Sequence, residues 1–128
     1  MQPQALETWH QVVAERNVKA LESLLADEVI FYSPVVHTPQ VGKALTQQYL
    51  IAAFYVFFNE SFHYINQTFA ENSAVLEFEV TIDEILINGV DMIEWNEQGK
   101  VSSFKVMIRP LKAINLIHQK MAAMLERS

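Results

Sequence analysis

The apolar positions of this chain change period part-way along. Leu6, Trp9, Val12, Val13 and Arg16 fall at helical spacing, with Glu7, Gln11 and Glu15 between them. Asn17 is suited to cap a second helix with Val18, Leu21, Leu24 and Leu25 on one face, and Asp27-Glu28 ends it. Val29-Ile30-Phe31-Tyr32 is a short β-rich run stopped by Pro34. A proline-stiffened loop, Val35 to Gly42, leads to a third predicted helix, Lys43 to Phe58. Its second half is apolar nearly all round, which implies burial on several sides.

Beyond Asn59-Glu60-Ser61 the period becomes two. Phe62 to Phe69, Ala74 to Ile82 and Val101 to Ile108 read as strands, with turns at Glu71-Asn72-Ser73 and Asn96-Glu97-Gln98-Gly99. A further strand runs through Gly89 to Trp95, and two reversals compete between it and Ala74 to Ile82. Asn88-Gly89 is the stronger local hairpin signal; if the chain turns at Asp83-Glu84 instead, Asn88-Gly89 becomes a bulge or bend in a long strand. Pro110 opens a closing helix with Leu111, Ile114, Ile117, Met121, Met124 and Leu125 as its apolar stripe. Helices, then a meander of antiparallel strands, then a helix make an α+β arrangement with the helices on one sheet face. The other face carries Glu77, Glu79, Lys105 and Arg109, which could pair across strands.

Composition narrows the partners. The 128 residues predict one domain over 1–128, with about half of them hydrophobic and a net charge of -6. Scattered basic residues in an acidic chain argue against nucleic acid and against an anionic membrane. The chain has no cysteine, which fits the cytoplasm, and its start lacks the pattern of a signal peptide. The longest apolar run, Tyr49 to Phe58, is too short to span a bilayer.

Candidate chemistry begins with Asp91. In Gly89-Val90-Asp91-Met92-Ile93-Glu94-Trp95 it shares a strand face with Ile93 and Trp95. A carboxylate on an apolar face is costly unless it is hydrogen-bonded, paired, or kept neutral by a raised pKa. It is either a pocket acid or base, or a structural carboxylate tied to backbone N–H groups or to a nearby Tyr or His. His37, in the proline-flanked loop, is a second candidate base or a solvated loop residue. His63 either joins Asp91 or lies on the outer face. The histidines have no metal-ligand spacing, so no metal is expected. No Gly-rich phosphate loop, nucleophile elbow or zinc-protease motif is present, so no cofactor is expected either.

Four segments, in order, carry a resemblance: Leu24-Leu25-Ala26-Asp27-Glu28-Val29-Ile30-Phe31; Ser33-Pro34 with Val41-Gly42-Lys43; Gly89-Val90-Asp91-Met92-Ile93; and Trp95-Asn96-Glu97-Gln98-Gly99-Lys100-Val101. Together they resemble the nuclear transport factor 2-like superfamily, close to the SnoaL-like polyketide cyclases. The resemblance implies a cone: a strongly curved antiparallel sheet wrapped round the N-terminal helices, with a C-terminal helix and an apolar pocket inside. It also implies a homodimer through the outer sheet face. In ketosteroid isomerase-like members a carboxylate base precedes the proline of the first-strand motif, where this chain has Ser33. A first-helix tyrosine is matched by Trp9, and a protonated acid on the central strand by Asp91. Without the base, steroid isomerisation by that route is not expected.

The resemblance places Trp9, Ser33 and the aromatic residues nearest the open end of the cone on a pocket for a small apolar molecule. Phe31, Tyr49, Phe54, Phe58, Phe78 and Phe104 are the candidates, with Ile93 and Val106 beside them. As an enzyme the chain would run isomerase-, cyclase- or lyase-type proton transfer with Asp91 as a lone acid/base. The alternative is a non-catalytic sensor, carrier or dimerisation module of the same fold.

Overall fold

The computed structural model describes residues 2–126. Helices α1 (Gln4–Glu15) and α2 (Val18–Leu24) lead into β1 (Leu25–Tyr32), a short β2 (Gln40–Val41) and helix α3 (Lys43–Phe57). Strands β3 (His63–Phe69), β4 (Ser73–Ile82), β5 (Ile85–Trp95) and β6 (Val101–Arg109) follow, and α4 (Leu111–Glu126) closes the chain. The Asn17 side chain caps α2 by accepting from the Ala20 amide at 3.1 Å. Asp27 and Glu28 do not end that helix. They are exposed positions of β1, which starts earlier than expected because Leu25 pairs with Val101.

The sheet corrects the expected fold. It has six strands in the order β2-β1-β6-β5-β4-β3, so β2 and β3 are free edges and the sheet does not close. It is also mixed, since β1 runs parallel to β6 while the other neighbours are antiparallel. A strongly curved antiparallel cone therefore does not describe it. The physical reason is connectivity. Parallel neighbours need a long crossover, and the chain between β1 and β6 supplies one through α3 and the meander.

The reversal between β4 and β5 falls at Asp83-Glu84, both with positive φ (50° and 67°). Gly89 lies instead in the middle of β5, opposite Phe78 and Ile108. A Cβ there would come within 2.5 Å of the Phe78 ring and 2.7 Å of the Met107 carbonyl oxygen. Close approach, not turn geometry, requires this glycine. Lys120 of α4 reaches Asp83 at 3.2 Å and ties the hairpin to the closing helix.

Helix α4 buries Ala113, Ile117 and Met121, spaced four apart. Leu111, expected on that stripe, is 71 % exposed. On the outer sheet face the expected direct ion pairs give way to a bridge. Asn88 donates to Glu77 at 2.9 Å and accepts from Arg109 at 3.5 Å, while Lys105 lies over the Tyr32 ring.

Two groups of buried side chains form the core. One joins α1, α2, β1 and β6 with Leu50 and Phe54 of α3, Ala74 and Leu76 of β4, and Ile93 and Trp95 of β5; the other joins α4 with further residues of α3, β4 and β5. Tyr49, Phe58, Phe62, Tyr64 and Val106 pack against both. Helix α3 packs on β1 and on α4, which accounts for its nearly unbroken apolar second half. Among the described residues no helix is long and apolar enough to cross a membrane.

Candidate functional site

A cavity of about 40 Å³ lies where the two halves of the core meet. Helix α1 gives it Trp9 and α3 gives Leu50, Ala53, Phe54 and Phe57. The strands give Phe31, Phe78, Phe104, Val106 and Asp91, and the segment between α3 and β3 gives Phe58 and Phe62. Such a space has room for a few waters only. Its half-buried members, Ala53, Phe58, Phe62 and Val106, mark where it comes near the surface.

The lining is a chain of ring contacts. Trp9 meets Phe104 edge-on at 4.8 Å, Phe58 stacks on Phe54 at 4.8 Å, and Phe62 meets Tyr64 edge-on at 5.3 Å. Phe78 can lie across β5 because Gly89 has no side chain to displace it.

Asp91 is the charged residue on this wall and is 7 % exposed. Strand alternation puts it inside, between buried Gly89 and Ile93. The Tyr64 hydroxyl donates to Asp91 Oδ2 at 2.6 Å, and the Trp9 indole N–H donates to that hydroxyl at 3.1 Å. Oδ2 thus carries the side-chain hydrogen bond. Burial raises the Asp91 pKa to about 7, although the Tyr64 hydrogen bond pulls it down. The Tyr64 hydroxyl is pushed well above its ordinary value, by burial first and then by the adjacent carboxyl charge. Near neutrality Asp91 can therefore donate a proton or accept one, while Tyr64 remains a neutral donor.

The other candidates are distributed unevenly. Trp9, Phe31, Phe54, Phe58, Phe78, Phe104 and Val106 line the cavity. Tyr49 packs on the Phe31 ring at 5.8 Å, behind the wall, and Ile93 is buried in the core beside it. Ser33 and His37 line a different groove, with Tyr32 and Lys105, that shares only Val106 with the cavity. The Ser33 hydroxyl accepts from the Val35 amide at 3.2 Å and so shapes its own loop. His63 is exposed and bonds the Ser61 carbonyl, on the face away from Asp91. Among the described residues no group of three acidic or histidine side chains could hold a metal.

Tyr64 is the partner of Asp91 that the local sequence does not reveal. Its parity put it on the same face as Phe62, opposite His63, but nothing local paired it with Asp91. That pairing depends on the strand order β5-β4-β3 and on the irregular register after Tyr64.

Residues 6–104 match the SnoaL-like domain family, and the chain belongs to that family. A steroid delta-isomerase from Pseudomonas aeruginosa is 31 % identical, with 96 % of this chain and 90 % of that one aligned at a TM-score of 0.90. A bacterial protein with a cystatin-like fold from Silicibacter pomeroyi is 28 % identical over 94 % and 84 % of the chains, TM-score 0.86. A nuclear transport factor 2-like protein from Mesorhizobium loti shares the fold at 15 % identity, covering 84 % and 89 %, TM-score 0.72. No curated protein matches the chain.

Proposed function

We propose that this chain binds a small, largely apolar, carbonyl-containing molecule in the aromatic cavity, the half-buried Phe58 and Phe62 rings moving aside to admit it, with Asp91 as its proton donor or acceptor. One observation carries this: a buried carboxyl, bonded to a side chain and not to backbone, borders an apolar space. Neutral Asp91 would donate to the ligand oxygen. In its ionised form Asp91 would instead take a proton from the carbon beside that carbonyl and return it to another carbon of the same ligand, which is isomerase-type chemistry. Similarity to a steroid delta-isomerase supports this class of ligand. Ser33 lies outside the cavity lining and is no carboxylate, so the reaction would depend on Asp91 alone. The cysteine-free composition suits a cytoplasmic setting.

The small size of the cavity favours a second reading, a non-catalytic sensor, carrier or dimerisation module. Acetophenone, a minimal apolar ketone, separates the two. Its binding is followed by NMR for the protein and for Asp91→Asn. Specific shifts at Trp9 and Tyr64 that weaken in the variant support the first reading. Equal binding at every pH tested, or none, leaves the second.

The outer sheet face supports a homodimer. Val75 pairs with Met92 and Val90 with Met107 in adjoining registers, and Val75 and Met107 are 41 % and 50 % exposed. An apolar patch rimmed by Glu77, Lys105 and Arg109 suits a self-complementary interface.

A further inference from the structure

We infer that Arg16 is a specificity-determining residue at the cavity entrance and that the preferred ligand is an anion. Its apolar body would sit in the cavity, and its carboxylate would lie at the Arg16 end, away from Asp91. The inference rests on the cavity reading above and adds a second pole to it.

Arg16 follows α1 in the left-handed region, with φ of 54°. Glycine or asparagine is the usual residue at such a helix end, because a Cβ is strained there. The side chain shows what arginine adds. Its guanidinium lies over the Phe58 ring, 4.2 Å from the centroid. Phe58 is a wall of the cavity, half-buried, and stacks on Phe54. The cation is therefore one ring away from the apolar space, at a place where that space nears the surface.

The guanidinium is also pre-set. One terminal nitrogen, Nη1, donates to the Val13 carbonyl, and the central carbon is held over the Phe58 ring. Nη2 and Nε remain, the edge that grips a carboxylate with two parallel hydrogen bonds. Among the described residues no acidic side chain lies within 4 Å of Arg16. In a chain of net charge -6, an anionic ligand needs a local cation of this kind. A ligand entering past the edge of Phe58 would leave its trailing end beside this free edge.

The test is a matched pair of ketones, acetophenone and para-acetylbenzoate, which differ by one carboxylate. The full chain is titrated with each by NMR, as the natural sequence, Arg16→Gln and Arg16→Lys. The natural sequence should bind para-acetylbenzoate about tenfold more tightly than acetophenone, the effect expected of one charge-assisted bidentate contact. Arg16→Gln should remove that preference while leaving acetophenone binding unchanged, and Arg16→Lys should keep part of it. If Arg16→Gln weakens both ketones equally, the residue is structural and the inference fails. If both ketones bind the natural sequence alike, the inference fails while the cavity reading stands. Binding of neither ketone overturns both.

Discussion

Tyr64 donates its hydroxyl hydrogen to Asp91 Oδ2 at 2.6 Å, across the intervening strand β4. That bond is the polar centre of an otherwise aromatic interior, and the stability of the fold is linked to it through pH.

Asp91 has a folded pKa of about 7 against an ordinary value of 3.8. Between those values the folded state holds a proton that the unfolded state has released, so stability falls as pH rises from about 4 to about 7. The cost above that window is on the order of 4 kcal/mol for a three-unit shift. Asp91→Asn removes the titration. Urea denaturation should show the variant gaining on the natural sequence from about pH 5 to about pH 8. Parallel stability curves for the two proteins would contradict a raised Asp91.

Tyr64→Phe removes the donor and leaves the ring. The Asp91 pKa should rise further, because the hydrogen bond lowers it now. The loss should be about 1–3 kcal/mol at about pH 8, where the carboxylate is charged, and less at about pH 5. Carboxyl carbon NMR of Asp91 reads the shift directly. A lowered pKa would show that Tyr64 does not act through this bond.

Much of this arrangement was legible in the chain. Alternation placed Asp91, Ile93 and Trp95 on one face, and all three are buried there. Asn17 was readable as a cap because capping is local. What depended on distant partners was not. The parallel β1–β6 pair, which rules out the expected cone, is set by connectivity across most of the chain. Ser33 and His37 share a loop but not the cavity, because Val106 lies where the two spaces meet. Gly89 looked like a turn residue, since nothing local reveals Phe78 lying against it.

Gly89→Ala is the sharpest test of that packing. The added carbon would meet Phe78, the Met107 carbonyl and Ile108, all within 2.9 Å. Backbone cannot yield as a side chain can, so the variant should lose about 1–3 kcal/mol or more in denaturant titration. A neutral result would mean that β5 and β6 are not in the register described.

The hairpin allows a gain. Asp83 and Glu84 both hold positive φ, which asparagine and glycine adopt at less cost. Replacing the pair, Asp83→Asn with Glu84→Gly, should raise stability by about 1 kcal/mol. The ion pair lost with Lys120 is largely exposed and worth little. A lower melting temperature would show that the tether to α4 matters more than the turn.

Met107→Glu places a charge at the centre of the exposed apolar patch opposite Val90. If the outer face joins two copies, sedimentation should show a shift from dimer to monomer with the fold intact by circular dichroism. An unchanged mass would remove this face as the interface.

The seam between the two core groups has a consequence for how occupancy would be felt. Phe58, Phe62, Tyr64 and Val106 touch both groups, and the cavity lies among them. The void thus sits where the halves of the molecule cohere. A guest there would act as a missing core side chain, shared by both halves at once. Its binding would appear as a melting temperature that rises with its concentration, whatever chemistry followed. In such a protein the keystone would be supplied from outside.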